Sequence, residues 1–164
     1  MSSAIPDPYP STPSFTPTPR FLTALSSFYA MHATDPAPPS PSSSSTSPPS
    51  VTYHSTLETY ARKLSLQSTD ERLNQGPGEA LLLACASQHV RRWERPRADY
   101  PEGLSGYKLW RTSLNKFHAD IADEVLLSSG YSSTDDAALL ARVRELLLKK
   151  TLNRPPLPRP EELK

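Results

Sequence analysis

The stretch "EALLLACAS", residues 79–87, decides the fold of this chain. Its apolar residues fall on every side of a helix, so the helix must be enclosed by other elements rather than lie on a surface. The chain then passes without a break into "QHVRRWERPRADYP", residues 88–101, which contains one His, one Trp and four Arg. We predict a core helix that begins at Gly78 or Glu79 and runs to about Trp93, shortly before a proline disfavours the helical state. The end of this helix would form one wall of a polar site.

Composition separates a folded middle from polar flanks. Of the 19 prolines, 12 precede residue 51 and four lie between residues 155 and 160. Segments rich in Pro, Ser and Thr bury too little apolar area to offset the entropy lost on ordering them. We therefore predict a disordered tail over 1–18, one helical domain over 19–153 interrupted by a disordered insertion over 35–50, and a Pro-rich tail over 154–164.

Charge and cysteine content limit the class of protein. A formal net charge of +1 at pH 7 argues against nucleic acid as a partner. The single cysteine, Cys85, cannot form an intramolecular disulfide and is expected to pack in the core, which fits a cytoplasmic or nuclear protein. The N-terminus lacks the basic and apolar regions of a secretory signal, and no apolar run approaches the roughly 20 residues of a membrane span. We expect no membrane association.

Hydrophobic periodicity predicts four further helices around the core helix. The first opens at Pro19 and ends before the Pro/Ser insertion, and the second spans 52–66. The fifth begins at Ser133 or Thr134, where "STDD" supplies a cap and first-turn acids, and it stops near Lys150. The apolar stripe of the second helix is Tyr53, Leu57, Tyr60 and Leu64, and that of the fifth is Leu139, Val143, Leu146 and Leu147.

The fourth helix has the clearest pattern in the chain. Its apolar residues recur at steps of three and four, Ser105 is placed to cap it, and Gly130 ends it. No segment shows the alternation of a strand. The sequence therefore predicts an all-α fold, a compact orthogonal bundle of about five helices. The stripe of the fourth helix is Tyr107, Trp110, Leu114, Phe117, Ile121 and Val125.

Histidine and arginine side chains predict a polar site at the end of the core helix. His89 lies beside the apolar stripe of its helix, and His118 holds the same border position on the fourth helix, with Arg111 two turns before it. If the two helices pack as antiparallel neighbours, both histidines converge near a pocket that Arg111 also reaches. Arginine forks and flat aromatic faces suit a small anionic ligand, phosphorylated or nucleotide-like. The candidate ligand-binding residues are His89, Arg92, Trp93, Arg97, Tyr107, Trp110, Arg111 and His118.

The same residues allow other interpretations. His89 and His118 are also candidate ligands of a divalent metal, which needs one or two further ligands. His54 and Glu58, four residues apart on the second helix, would supply them most economically. A histidine at the edge of a core can equally be satisfied by one structural hydrogen bond, and the arginines can form ion pairs within their own loop. The acids nearest to these arginines are Glu94, Asp99 and Glu102.

Three short blocks carry a family resemblance. They are Gln-His-x-Arg-Arg-Trp-Glu-x-Pro-Arg at 88–97, Gly-Tyr-x-x-Trp-Arg at 106–111 and Phe-His-Ala at 117–119. In this order they resemble an uncharacterised family of bacteria and fungi, domain of unknown function 4202. The segments "FLTALSSFYAMHATDP" and, more weakly, "LETYARKL" are similar to its first two helices. The resemblance covers about residues 20–153 and implies one helical domain interrupted by the Pro/Ser insertion.

This family in turn resembles the HD phosphohydrolases, helical domains in which His and Asp ligands hold a divalent metal that activates water. The resemblance implies that His89 matches the histidine of the HD doublet and His118 a later ligand, although Val90 stands where the doublet has Asp. Members of the family continue into another apolar helix with an acidic pair, whose absence here is expected of a truncated gene product. Three functions stay open: an anion-binding domain without turnover, an HD-like metal-dependent phosphohydrolase and a degenerate structural domain.

Overall fold

The computed structural model describes residues 15–39, 46–67, 69 and 76–150. The remaining residues, which include most of both predicted tails and the centre of the predicted insertion, lie outside this description. The described residues contain helices and no strand, which confirms the all-α prediction. The α-helices are α1 (Pro19–His32), α2 (Pro49–Leu66), α3 (Glu79–Ser87), α4 (Gly103–Ser128) and α5 (Ala137–Leu148), and the short 3-10 helices are Arg92–Glu94 and Arg97–Asp99.

Helix α3 lies at the centre and packs against all four other α-helices. Every residue from Leu82 to Ser87 is buried, with Leu83 and Ser87 completely so. Cys85 is among them and is a free thiol, as predicted. The helix predicted to be apolar on all sides is therefore covered by the four other α-helices.

Helix α1 begins where the sequence places its start. The hydroxyl oxygen of Thr18 accepts a hydrogen bond from the amide of Phe21 at 3.3 Å, and Pro19 occupies the first turn, where a missing N–H costs nothing. The helix buries Phe21, Ala24, Phe28 and His32, so one histidine lies on its core face.

Helix α2 has the expected extent but not the expected buried face. It begins at Pro49, three residues before the predicted start, so the end of the predicted insertion is helical. Its stripe is exposed, at 47% for Tyr53, 55% for Tyr60 and 63% for Leu64. The buried residues are His54 and Ser65. The polar contacts of His54, described below, turn this face towards α3.

The predicted extension of the core helix to Trp93 is wrong. Helix α3 ends at Ser87, whose hydroxyl donates to the carbonyl oxygen of Leu83 at 2.7 Å, and Gln88 follows with an extended ψ of 137°. Two residues then adopt the left-handed conformation, His89 with φ 61° and Arg91 with φ 52°. These turns separate the polar block from the core helix, because a continued helix would carry its arginines into the core.

Helix α4 starts at Gly103, two residues before the predicted cap at Ser105, and Gly130 with φ 97° ends it as predicted. Trp110, Leu114, Ile121 and Val125 of its predicted stripe are buried, whereas Tyr107 is 46% exposed.

Helix α5 begins later than predicted because a turn precedes it. Residues 132–136 carry the "STDD" acids but form a loop, and the helix starts at Ala137. The carboxylate of Asp136 accepts from the amide of Ser132 at 2.8 Å and from the Arg20 guanidinium at 2.7 and 2.8 Å. The acid therefore joins α1 to the start of α5. Val143 and Leu147 of the predicted stripe are buried.

The close approach of Gly106 to the loop before α4 predicts a strong effect of a single methyl group. A Cβ at Gly106 would lie 1.8 Å from the carbonyl oxygen of Pro101. We expect Gly106→Ala to lower the free energy of unfolding by about 1–3 kcal/mol, measured by urea denaturation. Gly78→Ala is the control, because a Cβ there meets nothing within 4 Å; it should cost less than Gly106→Ala, about 1 kcal/mol or below, since only the weaker capping preference of alanine opposes it. Equal effects of the two substitutions would contradict this packing.

Candidate functional site

All four histidines of the chain lie in one continuous row. The rings of His32 and His54 stack, with centroids 3.6 Å apart and planes 16° apart. The centroids of His54 and His89 are 6.2 Å apart, and those of His89 and His118 are 5.8 Å apart, both in edge-to-face contact. Helices α1, α2 and α4 and the turn after α3 each contribute one ring to this histidine row.

The inner half of the row, His32 and His54, has a structural role. The Nε2 of His32 donates to the carbonyl oxygen of Ala86 at 2.8 Å, which leaves its Nδ1 to accept from the Ser50 hydroxyl at 2.8 Å. Both ring nitrogens of His54 face backbone carbonyl oxygens, those of Ser50 and Gln88. These contacts fasten α1 and α2 to the C-terminal end of α3, although a neutral His54 ring can donate to only one of its two carbonyl oxygens.

The outer half of the row, His89 and His118, is not satisfied in this way. Within the described ranges, neither ring forms a hydrogen bond to another residue. The side chain of His118 is only 3% exposed, and its buried Nε2 has no partner among the residues described. A buried polar atom without a partner costs about 1–3 kcal/mol, and such atoms are few in native proteins. His118 therefore calls for an explanation that packing does not give.

Three permanent cations surround this outer pair. Burial, followed by the charge of Arg92, lowers the pKa of His89 to about 4, and Lys149 and Arg111 act in the same direction. Burial, His89 and Arg92 lower the pKa of His118 to about 3. Burial, followed by Arg111 and Arg92, also lowers the pKa of Lys149. The two histidines are therefore uncharged at neutral pH and lie within a crowd of positive charge. We name these five residues, His89, Arg92, Arg111, His118 and Lys149, the cationic cluster.

The positive charge of the cluster is not compensated within the described part of the chain. No ion pair there joins Arg92, Arg111 or Lys149 to a carboxylate. Some other basic side chains are paired, such as Arg20 with Asp136 and Arg144 with two aspartates. Two members of the cluster, His89 with φ 61° and Lys149 with φ 57°, also have a left-handed backbone, which is costly for residues other than glycine.

The structure brings together four of the predicted site residues, His89, Arg92, Arg111 and His118. The fifth member, Lys149, could not be predicted from the sequence, because it follows α5 and is distant along the chain from every histidine.

The other predicted site residues lie outside the cluster. The Arg97 side chain donates to the carbonyl oxygens of Tyr100 and Gly103 and so fixes its own loop. The indole N–H of Trp110 donates to the carbonyl oxygen of Arg95 at 2.8 Å, and Tyr107 packs beside Trp110 on the surface. Trp93 lines a neighbouring cleft together with Arg92.

Ion pairing inside the arginine-rich loop, the alternative to a binding site, accounts for one arginine. Arg91 forms a two-pronged pair with Glu94 at 2.6 and 2.7 Å. Asp99 and Glu102 pair with no arginine in the described ranges. Local pairing therefore leaves Arg92 and Arg95 free of carboxylates, and both instead lie over aromatic rings, those of Trp110 at 5.1 Å and Phe117 at 5.0 Å.

The described residues do not fit a divalent metal at His89 and His118. Among them, no group of three or more His, Cys, Asp and Glu side chains is arranged to hold a metal ion. The nitrogens of His54 face carbonyl oxygens, and Glu58 pairs with Arg62 at 2.8 Å. A metal needs at least three such ligands, and the neighbouring cations oppose a further positive ion.

The fold and the site together define a small all-helical domain with a row of buried histidines that ends in an uncompensated cationic cluster. None of the described helices is long and apolar enough to cross a membrane. The chain belongs to the family described as Domain of unknown function (DUF4202), whose model matches residues 22–162. No curated protein and no solved structure matches it. The match agrees with the family resemblance of the three sequence blocks.

The histidine row predicts a steep loss of stability in mild acid. Burial is the largest cause that lowers the pKa of all four histidines, to about 4 for His32 and His89 and about 3 for His118. Between pH 6.5 and about 4 the unfolded chain therefore binds more protons than the folded one. We expect each histidine to remove up to about 1.4 kcal/mol of unfolding free energy per pH unit as the pH falls through this window.

Urea denaturation at pH 7, 6 and 5 measures this effect before the carboxylates titrate. His89→Asn should make the pH dependence shallower by the contribution of one histidine, because asparagine removes a titrating ring and tolerates the left-handed backbone. A free energy of unfolding that stays constant from pH 7 to pH 5 would contradict the burial of these neutral rings.

Proposed function

We propose that this domain binds a small anionic ligand through a phosphate-type oxyanion group at the cationic cluster. One observation carries the proposal: the charges of Arg92, Arg111 and Lys149 all act on His89, and none of these three side chains forms an ion pair with a carboxylate among the residues described. Like charges that crowd each other in this way raise the energy of the unliganded protein. An anion would convert that repulsion into attraction.

The donors of the cluster suit an oxyanion. Each arginine presents a planar fork that matches two oxygens of a phosphate or carboxylate, and lysine adds a compact charge. A neutral imidazole offers one N–H and one lone pair, and the unpartnered Nε2 of His118 leaves hydrogen-bonding capacity unused. An anion held by the arginines and the lysine would neutralise these cations.

Binding without turnover is the form of this proposal that the residues favour. An HD-like phosphohydrolase requires a metal, and the described donors do not complete a metal site. Val90, at the position of the doublet's Asp, is fully buried in the hydrophobic core and offers no ligand. The strongest electrostatic influences on His89 and His118 are cations and other histidines, so neither ring is coupled to a carboxylate that would orient it as a general base.

Anion binding should depend on Lys149 and not on its neighbour. We expect inorganic pyrophosphate to raise the melting temperature of the protein at low ionic strength, where screening is weakest. Arg111→Gln and Lys149→Gln should each weaken binding by roughly tenfold, because each removes a charge-assisted hydrogen bond worth about 1.5 kcal/mol or more. Both variants should be at least as stable as the wild type without ligand, since each removes a repelled cation.

Lys150→Gln is the matched control for this experiment. Lys150 is adjacent in sequence and exposed, but it does not act on the histidines or on Lys149. Its replacement should leave the affinity for pyrophosphate within about twofold. Absence of any thermal shift with the wild type, or equal losses in the Lys149 and Lys150 variants, would refute binding at the cluster and leave a purely structural domain.

A further inference from the structure

A cleft of about 460 Å³ lies directly beside the cationic cluster. Its walls include Trp93, Trp110 and Pro96, with Arg92, Arg95 and the carboxylate of Asp35 among the polar lining. This volume falls within the usual range of small-molecule sites, which are mostly apolar with a few polar groups. The cleft is thus large enough for a planar ring.

Arg92 belongs to both the cleft and the cluster. Its guanidinium carbon lies 5.1 Å from the centroid of the Trp110 ring, and its charge is the strongest charged influence on His89. An anionic group held by Arg92 in the cluster would therefore have the cleft as its neighbour. The two features are parts of one surface, not separate sites.

No hydrogen bond or ring contact among the described residues accounts for a tryptophan at position 93. Trp110 is fixed by its hydrogen bond to Arg95 and by the Arg92 guanidinium over its ring. Trp93, by contrast, is only half-buried, and in the described ranges its indole forms no hydrogen bond and no contact with another aromatic ring or cation. A half-buried indole with an open face on a cleft wall is suited to stacking.

Asp35 adds a negatively charged residue to a lining whose other charged residues are arginines. Asp35 is one of the residues that line the cleft, and its Oδ1 accepts from the amide of Ala37 at 3.0 Å. A carboxylate accepts hydrogen bonds only, so it selects ligand groups that donate, such as an exocyclic amine or a sugar hydroxyl. It would repel a second phosphate, which confines the anion to the cluster.

We propose that the ligand is an organic phosphate that carries a planar heterocyclic ring, with its phosphate at the cationic cluster and its ring against Trp93 in the cleft. This inference rests on the proposed function. A nucleoside monophosphate has the required parts: a dianionic group, a stackable ring and hydroxyl or amine donors. The cluster supplies charge and the cleft supplies selectivity among phosphates.

The test compares adenosine monophosphate, ribose 5-phosphate and adenosine on the full chain by calorimetry and by tryptophan fluorescence. The nucleotide should bind at least about tenfold more tightly than ribose 5-phosphate, the gain that stacking on an aromatic side chain produces, and should quench fluorescence. Trp93→Leu should abolish this advantage and leave the affinity for ribose 5-phosphate unchanged. Lys149→Gln should weaken both phosphates.

Tyr60→Leu is the matched aromatic control, because Tyr60 is 55% exposed on α2 and does not line the cleft. It should change neither affinity. Equal affinities for the nucleotide and ribose 5-phosphate would overturn the inference about the ring and leave the anion site standing. Failure of both phosphates and of pyrophosphate would overturn both proposals, and binding of adenosine alone, insensitive to Lys149→Gln, would assign the cleft to an uncharged ligand.

Discussion

The enclosure of α3 is the constraint on which the rest of the structure depends. A helix of nine residues with no polar side must be covered on all sides, and α1, α2, α4 and α5 each cover part of it. The chain that leaves such a helix has to reach the surface at once, since its next residues are polar. The turn at His89 and Arg91 achieves this, at the cost of two left-handed residues. The turn also places His89 at the point where helices from both sides of α3 meet.

The two halves of the histidine row differ in whether their ring nitrogens have hydrogen-bond partners. His32 and His54 satisfy backbone carbonyl oxygens at the C-terminal end of α3, where a helix leaves such acceptors unpaired. His89 and His118 satisfy nothing in the described part of the chain and carry the electrostatic cost of three nearby cations. A fold that needed only to be stable would place carboxylates beside those cations, as it does beside Arg20 and Arg144. The proposed anion site therefore rests on two observations in the described ranges: Arg92, Arg111 and Lys149 form no ion pair, and the buried Nε2 of His118 has no partner.

Much of this architecture could be predicted from local pattern, and the exceptions share a cause. Periodicity located α1, α2 and α4 because apolar residues recur there at steps of three and four over a long stretch. Periodicity did not predict where α3 ends, because burial in the tertiary structure, not helix propensity, determines the last residue of this helix. It chose the wrong face of α2 because the stripe of Tyr53, Tyr60 and Leu64 is more apolar than the face that packs. The contact of His54 with the carbonyl oxygen of Gln88 instead turns that other face towards the end of α3. The site was predictable where its members are histidines and arginines of the three blocks, but Lys149 joins them only through the tertiary fold.

The charge of the site separates two chemistries that the same two histidines could support. A divalent metal requires three or four donors, which can be neutral imidazoles, thiolates or carboxylates. Here the imidazoles are neutral, but the groups around them are guanidinium and ammonium, so a metal ion would add to a repulsion that already lowers the pKa of Lys149. An anion would be attracted by each of these cations instead of repelled. It would also accept a hydrogen bond from any imidazole N–H that faces it. The two histidines that resemble metal ligands in sequence therefore lie, in three dimensions, under the influence of cationic side chains, which is why we propose an anion there and not a metal.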